Sequence, residues 1–121
     1  MSIIEDMEKI VMSNKKKEIR RNFRKVCLIR DQLRCVMCGL QASSFEEAEN
    51  IFDVHHITNP KEIINGGYVL ENGITLCFND HIKAEIFHST GTPVIGYSVE
   101  DLYEKINSSL EKAIRASEKL K

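Results

Sequence analysis

Long apolar runs, an excess of one charge and aromatic side chains are all scarce in this sequence, and each scarcity narrows what it can be. No stretch approaches the roughly 18 apolar residues that a membrane span needs, so no membrane role is expected. The opening MSIIEDMEKI carries early acids and no apolar run; it does not read as a secretory signal, and a cytoplasmic location is the expectation. Aromatic residues are 7% of the 121, with no tryptophan. So few large apolar rings suit a shallow polymer-binding site better than an enclosed small-molecule pocket. The formal net charge is −1, which weighs against a nucleic-acid partner, because such partners usually face an excess of Lys and Arg. There is no internal repeat and no low-complexity segment. The length suits a single domain, residues 1–121, with a modest core.

The charge is unevenly spread. Lys15, Lys16, Lys17, Arg20, Arg21, Arg24, Lys25, Arg30 and Arg34 stand against only Glu18 and Asp31. The acids gather in the first eight residues, between Glu46 and Asp53, and in the tail. A local basic stripe can neutralise phosphates even when the total balances; on charge alone, a solvated helix face explains it equally. Ile3, Ile4, Met7, Ile10 and Val11 recur at helical spacing, as do Ile19, Phe23, Val26 and Cys27. Ser13-Asn14 interrupts them, so residues 1–34 read as one bent helix or two consecutive ones. Cys27 falls on the apolar stripe and reads as a buried small hydrophobe.

Helical periodicity is poor from Cys35 to about Leu76. That stretch reads as a cysteine knuckle, a short strand (Ile51 to Ile57), a loop and a second strand (Gly73 to Leu76). Asn65-Gly66-Gly67 and Glu71-Asn72-Gly73 are turn signals. A helix is expected from Asn79 or Asp80 to about His88, with Gly91, Pro93 and Gly96 breaking the chain after it. In the tail, residues 98–121, Ser98 with Asp101 and Ser108 with Glu111 each resemble a capping box. Val99, Leu102, Tyr103 and Ile106, then Leu110, Ala113 and Ile114, form the apolar stripe of two packing helices.

Three clusters carry chemistry. Four cysteines without an export signal suit metal binding better than disulfides. Cys35 and Cys38, two residues apart and followed by Gly39, can put two thiolates on one ion; Cys77 and Asp80 could complete a tetrahedral zinc site. The alternative is a metal-free or weakly bound knuckle. His55 and His56 sit side by side, so on a strand they point to opposite faces. That suits a division of labour, one imidazole holding a metal and the other acting as base, although a lone His-His pair also fits surface or core histidines. His81, Glu85 and His88 share one helix face, and two imidazoles with a carboxylate suit a divalent ion.

Taken in order, Cys35-x2-Cys38, Val54-His55-His56-Ile57, Gly66-Gly67, Glu71-Asn72-Gly73-Ile74-Thr75-Leu76-Cys77 and His81 resemble the HNH endonucleases, most of all small stand-alone bacterial and phage members. The resemblance spans Arg30 to His88. It implies an α+β fold: a ββα-metal core with a cysteine zinc knuckle (residues 35–88), flanked by N-terminal and C-terminal helices. It implies His56 as the general base, Asn72 as the residue that fixes the loop and orients His56, and His55 and His81 as metal ligands. Relatives often carry a histidine four residues beyond His81, where Glu85 stands here. Glu85 or His88 is then the third ligand; Glu85 is preferred for its spacing, and a carboxylate favours magnesium or manganese, with zinc or nickel as alternatives. Asp80 replaces the usual fourth knuckle cysteine. The implied activity is hydrolysis of DNA to 5′-phosphate and 3′-hydroxyl ends; the basic stripe then makes Lys17, Arg20, Arg21 and Arg24 the residues expected to contact the DNA. Cutting both strands would most simply use two sites, and the tail helices could build a homodimer. The rival readings are a catalytically silent zinc-knuckle module that binds nucleic acid or protein, and a structural protein with a buried cysteine cluster.

Overall fold

The computed structural model describes residues 3–120. Met1, Ser2 and Lys121 lie outside the described residues, as do the side chains of Ile3, Ile4, Ile10 and Val11 from the expected apolar stripe. The elements are α1 (Ile3–Arg30), α2 (Phe45–Ile51), β1 (Phe52–His56), β2 (Gly73–Cys77), α3 (Phe78–Thr90), α4 (Val99–Lys105) and α5 (Leu110–Glu118). Three short 3-10 turns, Pro60–Glu62, Ile64–Gly67 and Leu70–Asn72, join β1 to β2.

Of the two readings of the N-terminal segment, the single helix holds. α1 runs 28 residues straight through Ser13-Asn14, because Ser and Asn cost a helix interior only about 0.5 kcal/mol each and the flanking lysines and glutamates are good helix formers. The helix ends at Gln32 and Leu33, both left-handed, with φ 59° and 57°. Leu33 N–H reaches back to the Leu28 carbonyl at 2.9 Å, satisfying one of the orphaned C-terminal acceptors. Arg30 and Asp31 then lock this end to the sheet. Arg30 grips the Asp31 carboxylate with two hydrogen bonds and donates to the Leu70 and Gly73 carbonyls; Asp31 accepts from Thr75 N–H. Arg30 of the basic stripe is therefore a structural residue.

β1 and β2 form an antiparallel pair in which His55 faces Ile74 and His56 faces Gly73. α3 follows β2 without a gap and packs on both strands, giving a ββα unit. Leu28, Phe52, Ile57, Ile74, Leu76, Leu102 and Tyr103 are buried in one cluster drawn from α1, the sheet and α4. Each large aliphatic side chain so removed from water contributes about 1.5–3 kcal/mol. Among the described residues no helix is long and apolar enough to cross a membrane.

Three expectations need correction. The stretch before β1 is helical, so β1 starts at Phe52 and not at Ile51. α2 is only seven residues long, too short to show a period; its signal lies in Ser44, whose side chain accepts from Glu47 N–H, and in the Glu47 carboxylate that Ser43 bonds in return. α3 is longer at both ends than expected, and Gly91 closes it at φ 80°. Ser98 and Asp101 make the expected capping box on α4, but the cap of α5 is Ser109. Ser108 instead donates to the Glu71 carbonyl, so the tail is pinned to the turn before β2.

Candidate functional site

The alternation of β1 separates its two histidines. His55 turns into the protein and is 1% exposed. Its Nδ1 lies 3.0 Å from Glu85 Oε1, and His81 Nε2 lies 3.2 Å from the same oxygen. His81 and Glu85 are one helical turn apart on α3, so they present their side chains to β1 together. One ligating atom from each of His55, His81 and Glu85 falls within 4.8 Å of the others. Asp53, on the same strand face as His55, sets its carboxylate 3.2 Å from His81 Nδ1, an arrangement that orients an imidazole for metal binding through its other nitrogen. Burial pushes the His55 imidazole down to about 4, against the pull of Glu85 in the other direction. It is thus neutral at ordinary pH, as a ligand must be. Its Nε2 is buried and unpartnered among the described residues. Two imidazoles and one carboxylate converging in this way fit a divalent cation. His88 stands apart from the group: its Nε2 donates to the His56 carbonyl at 3.4 Å, and its ring lies 5.3 Å from that of His55.

His56 occupies the other face. Its ring stacks on Phe23 of α1 at 4.6 Å between centroids, and Tyr68 stands nearly perpendicular to it at 4.7 Å. Burial in this aromatic setting pushes its pKa down to about 4, with Glu85 opposing and Arg20 and His88 reinforcing the shift. Asn72 makes no hydrogen bond to His56; it acts on the chain beyond. Its amide oxygen accepts from Thr58 N–H and the Tyr103 hydroxyl, and its amide nitrogen donates to the Thr58 and Gly67 carbonyls. A fully buried Asn with all four contacts made ties both ends of the β1–β2 connection together, starting two residues after His56.

The second cluster joins the knuckle to α3. Cys38 Sγ and Cys77 Sγ are 3.7 Å apart, while Asp80 Oδ2 is 3.2 Å from Cys35 Sγ and 3.3 Å from Cys77 Sγ. Cys35, Cys38, Cys77 and Asp80 therefore converge on a space the size of one ion. Tyr97 donates to the other oxygen of Asp80 at 2.6 Å. Although burial works to raise it, bonds from Tyr97 and the thiols hold the Asp80 carboxyl below the usual range. Burial pushes the Cys35 thiol up to about 12, so its thiolate needs a cation beside it to form at ordinary pH. Three sulfurs and an oriented carboxylate fit zinc.

Lys17, Arg20 and Arg21 are exposed on α1, but Arg24 is differently employed. Its guanidinium donates to the Glu49 and Phe52 carbonyls, fastening α1 to α2 and β1. Sequence reasoning missed Phe23, Asp53, Thr58, Tyr68, Tyr97 and Tyr103 around the two sites. Only Asp53 carried a usable signal, its two-residue spacing from His55; the tyrosines reach their partners across distances in the chain that no local pattern records.

Residues 35–85 match the family model described as HNH endonuclease, so the chain carries an HNH endonuclease domain over that span. The match takes in both clusters, from Cys35 to Glu85, and the family implies a nucleic-acid substrate. No curated protein and no solved structure matches the chain.

Proposed function

We propose that this chain is a metal-dependent DNA endonuclease that hydrolyses phosphodiester bonds, with His56 as the general base. The observation that carries the reading is the split of adjacent histidines across β1. His55 joins His81 and Glu85 in an ion-sized group, while His56 stands on the opposite face, neutral and outside that group. A neutral imidazole can take a proton from water. Its Nε2 is sealed from solvent, which leaves Nδ1 to do so, in the tautomer that keeps the hydrogen on Nε2. His55, His81 and Glu85 would hold a divalent cation, with magnesium or manganese suited to the carboxylate, which would supply charge neutralisation at the scissile phosphate.

Asn72 is a positioning residue in this reading: it holds the chain leaving His56, and His88 braces the His56 carbonyl. Cys35, Cys38, Cys77 and Asp80 would hold a structural zinc. α1 and the tail belong to the same domain as the metal core, since Phe23 stacks on His56 and Tyr103 bonds Asn72. Cleavage of supercoiled plasmid with magnesium, manganese or a chelator tests the proposal. Metal-dependent nicking or linearisation by the parent, absent in His56→Ala, is the expected result. No cleavage by a folded, metal-loaded parent would favour a silent binding module instead.

A further inference from the structure

Beside the His56 face lies a hollow lined by Lys16, Ile19 and Arg20 of α1 and by Asn65 and Tyr68 of the turn opposite, with a volume of about 150 Å³. We propose that this hollow takes one unpaired nucleobase of the DNA strand being cut, with Tyr68 as its stacking wall. The proposal rests on the DNA-cutting reading and adds the form of substrate that reading leaves open.

Four observations converge on it. The first is size: cavities of roughly 150 Å³ accommodate a single benzene-sized ring, and this hollow is of that order. The second is chemistry. Bases stack on aromatic side chains regardless of sequence, and cationic side chains alongside track the backbone. Here Tyr68 supplies the ring; the exposed Arg20 guanidinium lies over its face, 5.4 Å from the centroid, and must swing aside toward the backbone as a base takes its place, with Lys16 lining the same hollow.

The third is continuity with the reacting centre. Tyr68 also packs its ring edge to face against His56 at 4.7 Å. A base on the hollow side of Tyr68 therefore sits one side chain away from the proposed general base, where a nucleotide flanking the scissile phosphate belongs. The fourth is rigidity. Asn65, left-handed at φ 59°, donates through its amide to the Ser117 and Leu120 carbonyls. Ser117 accepts from Gly67 N–H and donates to the Ile64 carbonyl. The turn that carries Tyr68 is thereby bolted to α5, which gives the tail a function at the site. A wall held in this way binds without first being ordered.

The test uses the full chain with calcium as the divalent ion and a fluorescent single-stranded DNA oligonucleotide, in which an abasic site is moved one position at a time. The expected result is one position at which loss of the base weakens binding by about tenfold. Tyr68→Ala should weaken binding of the intact strand by a similar factor and abolish the sensitivity to the abasic site, while Tyr68→Phe keeps both. Equal affinity at every abasic position overturns the proposal, as does sensitivity that survives Tyr68→Ala. The abasic series on the parent needs no variant to fold. Plasmid cleavage by the parent separates the two readings. Cutting without abasic sensitivity overturns the hollow alone, whereas abasic sensitivity without cutting overturns the nuclease reading and leaves the hollow standing.

Discussion

Cys27 shows what burial does to a side chain. It sits on the inner face of α1 with no exposed surface, and loss of hydration pushes its thiol from the ordinary 9 up to about 12. The unfolded chain therefore gives up this proton first as pH rises. Between about 9 and about 12 the folded state holds more protons than the unfolded one, so rising pH favours unfolding; below about 9 the group contributes no slope. Thermal unfolding of the parent should lose stability through that window more steeply than Cys27→Ala, whatever the other groups titrating there. Equal slopes would mean that the thiol is solvated. Its place on the apolar stripe was legible in the sequence, as were the opposite faces of His55 and His56 and the shared helix face of His81 and Glu85, because spacing along a strand or a helix maps directly onto faces. Tyr97 and Tyr103 were not legible as partners of Asp80 and Asn72, since 17 and 31 residues separate the pairs and only the packed fold joins them.

Among the elements, the packing of α1 on β2 sets how His56 is held. Gly73 lies against the helix, and a Cβ there would come within 2.5 Å of Cys27 Sγ and 2.6 Å of the Phe23 ring. No carbon fits at those distances. Gly73→Ala should cost about 1–3 kcal/mol by overpacking and push Phe23 off His56, lowering the cleavage rate while leaving divalent-metal affinity near the parent's. Calorimetric unfolding and metal titration check the two halves; unaltered stability would mean the helix yields freely. The strands themselves were legible to within a residue or two from their turns and their histidines. α2 was not, because seven residues complete barely two helical turns, and the Ser109 cap was displaced by one because Ser108 had a better partner in Glu71.

The whole molecule carries almost no net charge, yet α1 presents Lys17, Arg20 and Arg21 to solvent. In the proposed function these side chains neutralise phosphates, and removing any one of them should lower the slope of log affinity against log salt by about 0.9. Reversing all three charges should therefore weaken DNA binding across all sequences and flatten its salt dependence. Arg24→Ala should instead lower the melting temperature, because it frees the carbonyls of Glu49 and Phe52. An undiminished salt slope in the triple variant would remove α1 from the interface. The basic stripe was visible in the sequence, but its division between solvent-facing and structural arginines was not, since that depends on which carbonyls the fold brings to each guanidinium.

In the proposed function β1 divides labour between neighbours, His55 holding metal and His56 moving the proton. The most direct measurement is manganese affinity and single-turnover cleavage, determined together for His56→Ala and the parent. Parental metal affinity, with cleavage slowed by about 10²–10⁴-fold, the usual worth of a general base, is the expected result. Parental cleavage in the variant, or loss of its metal, would contradict it.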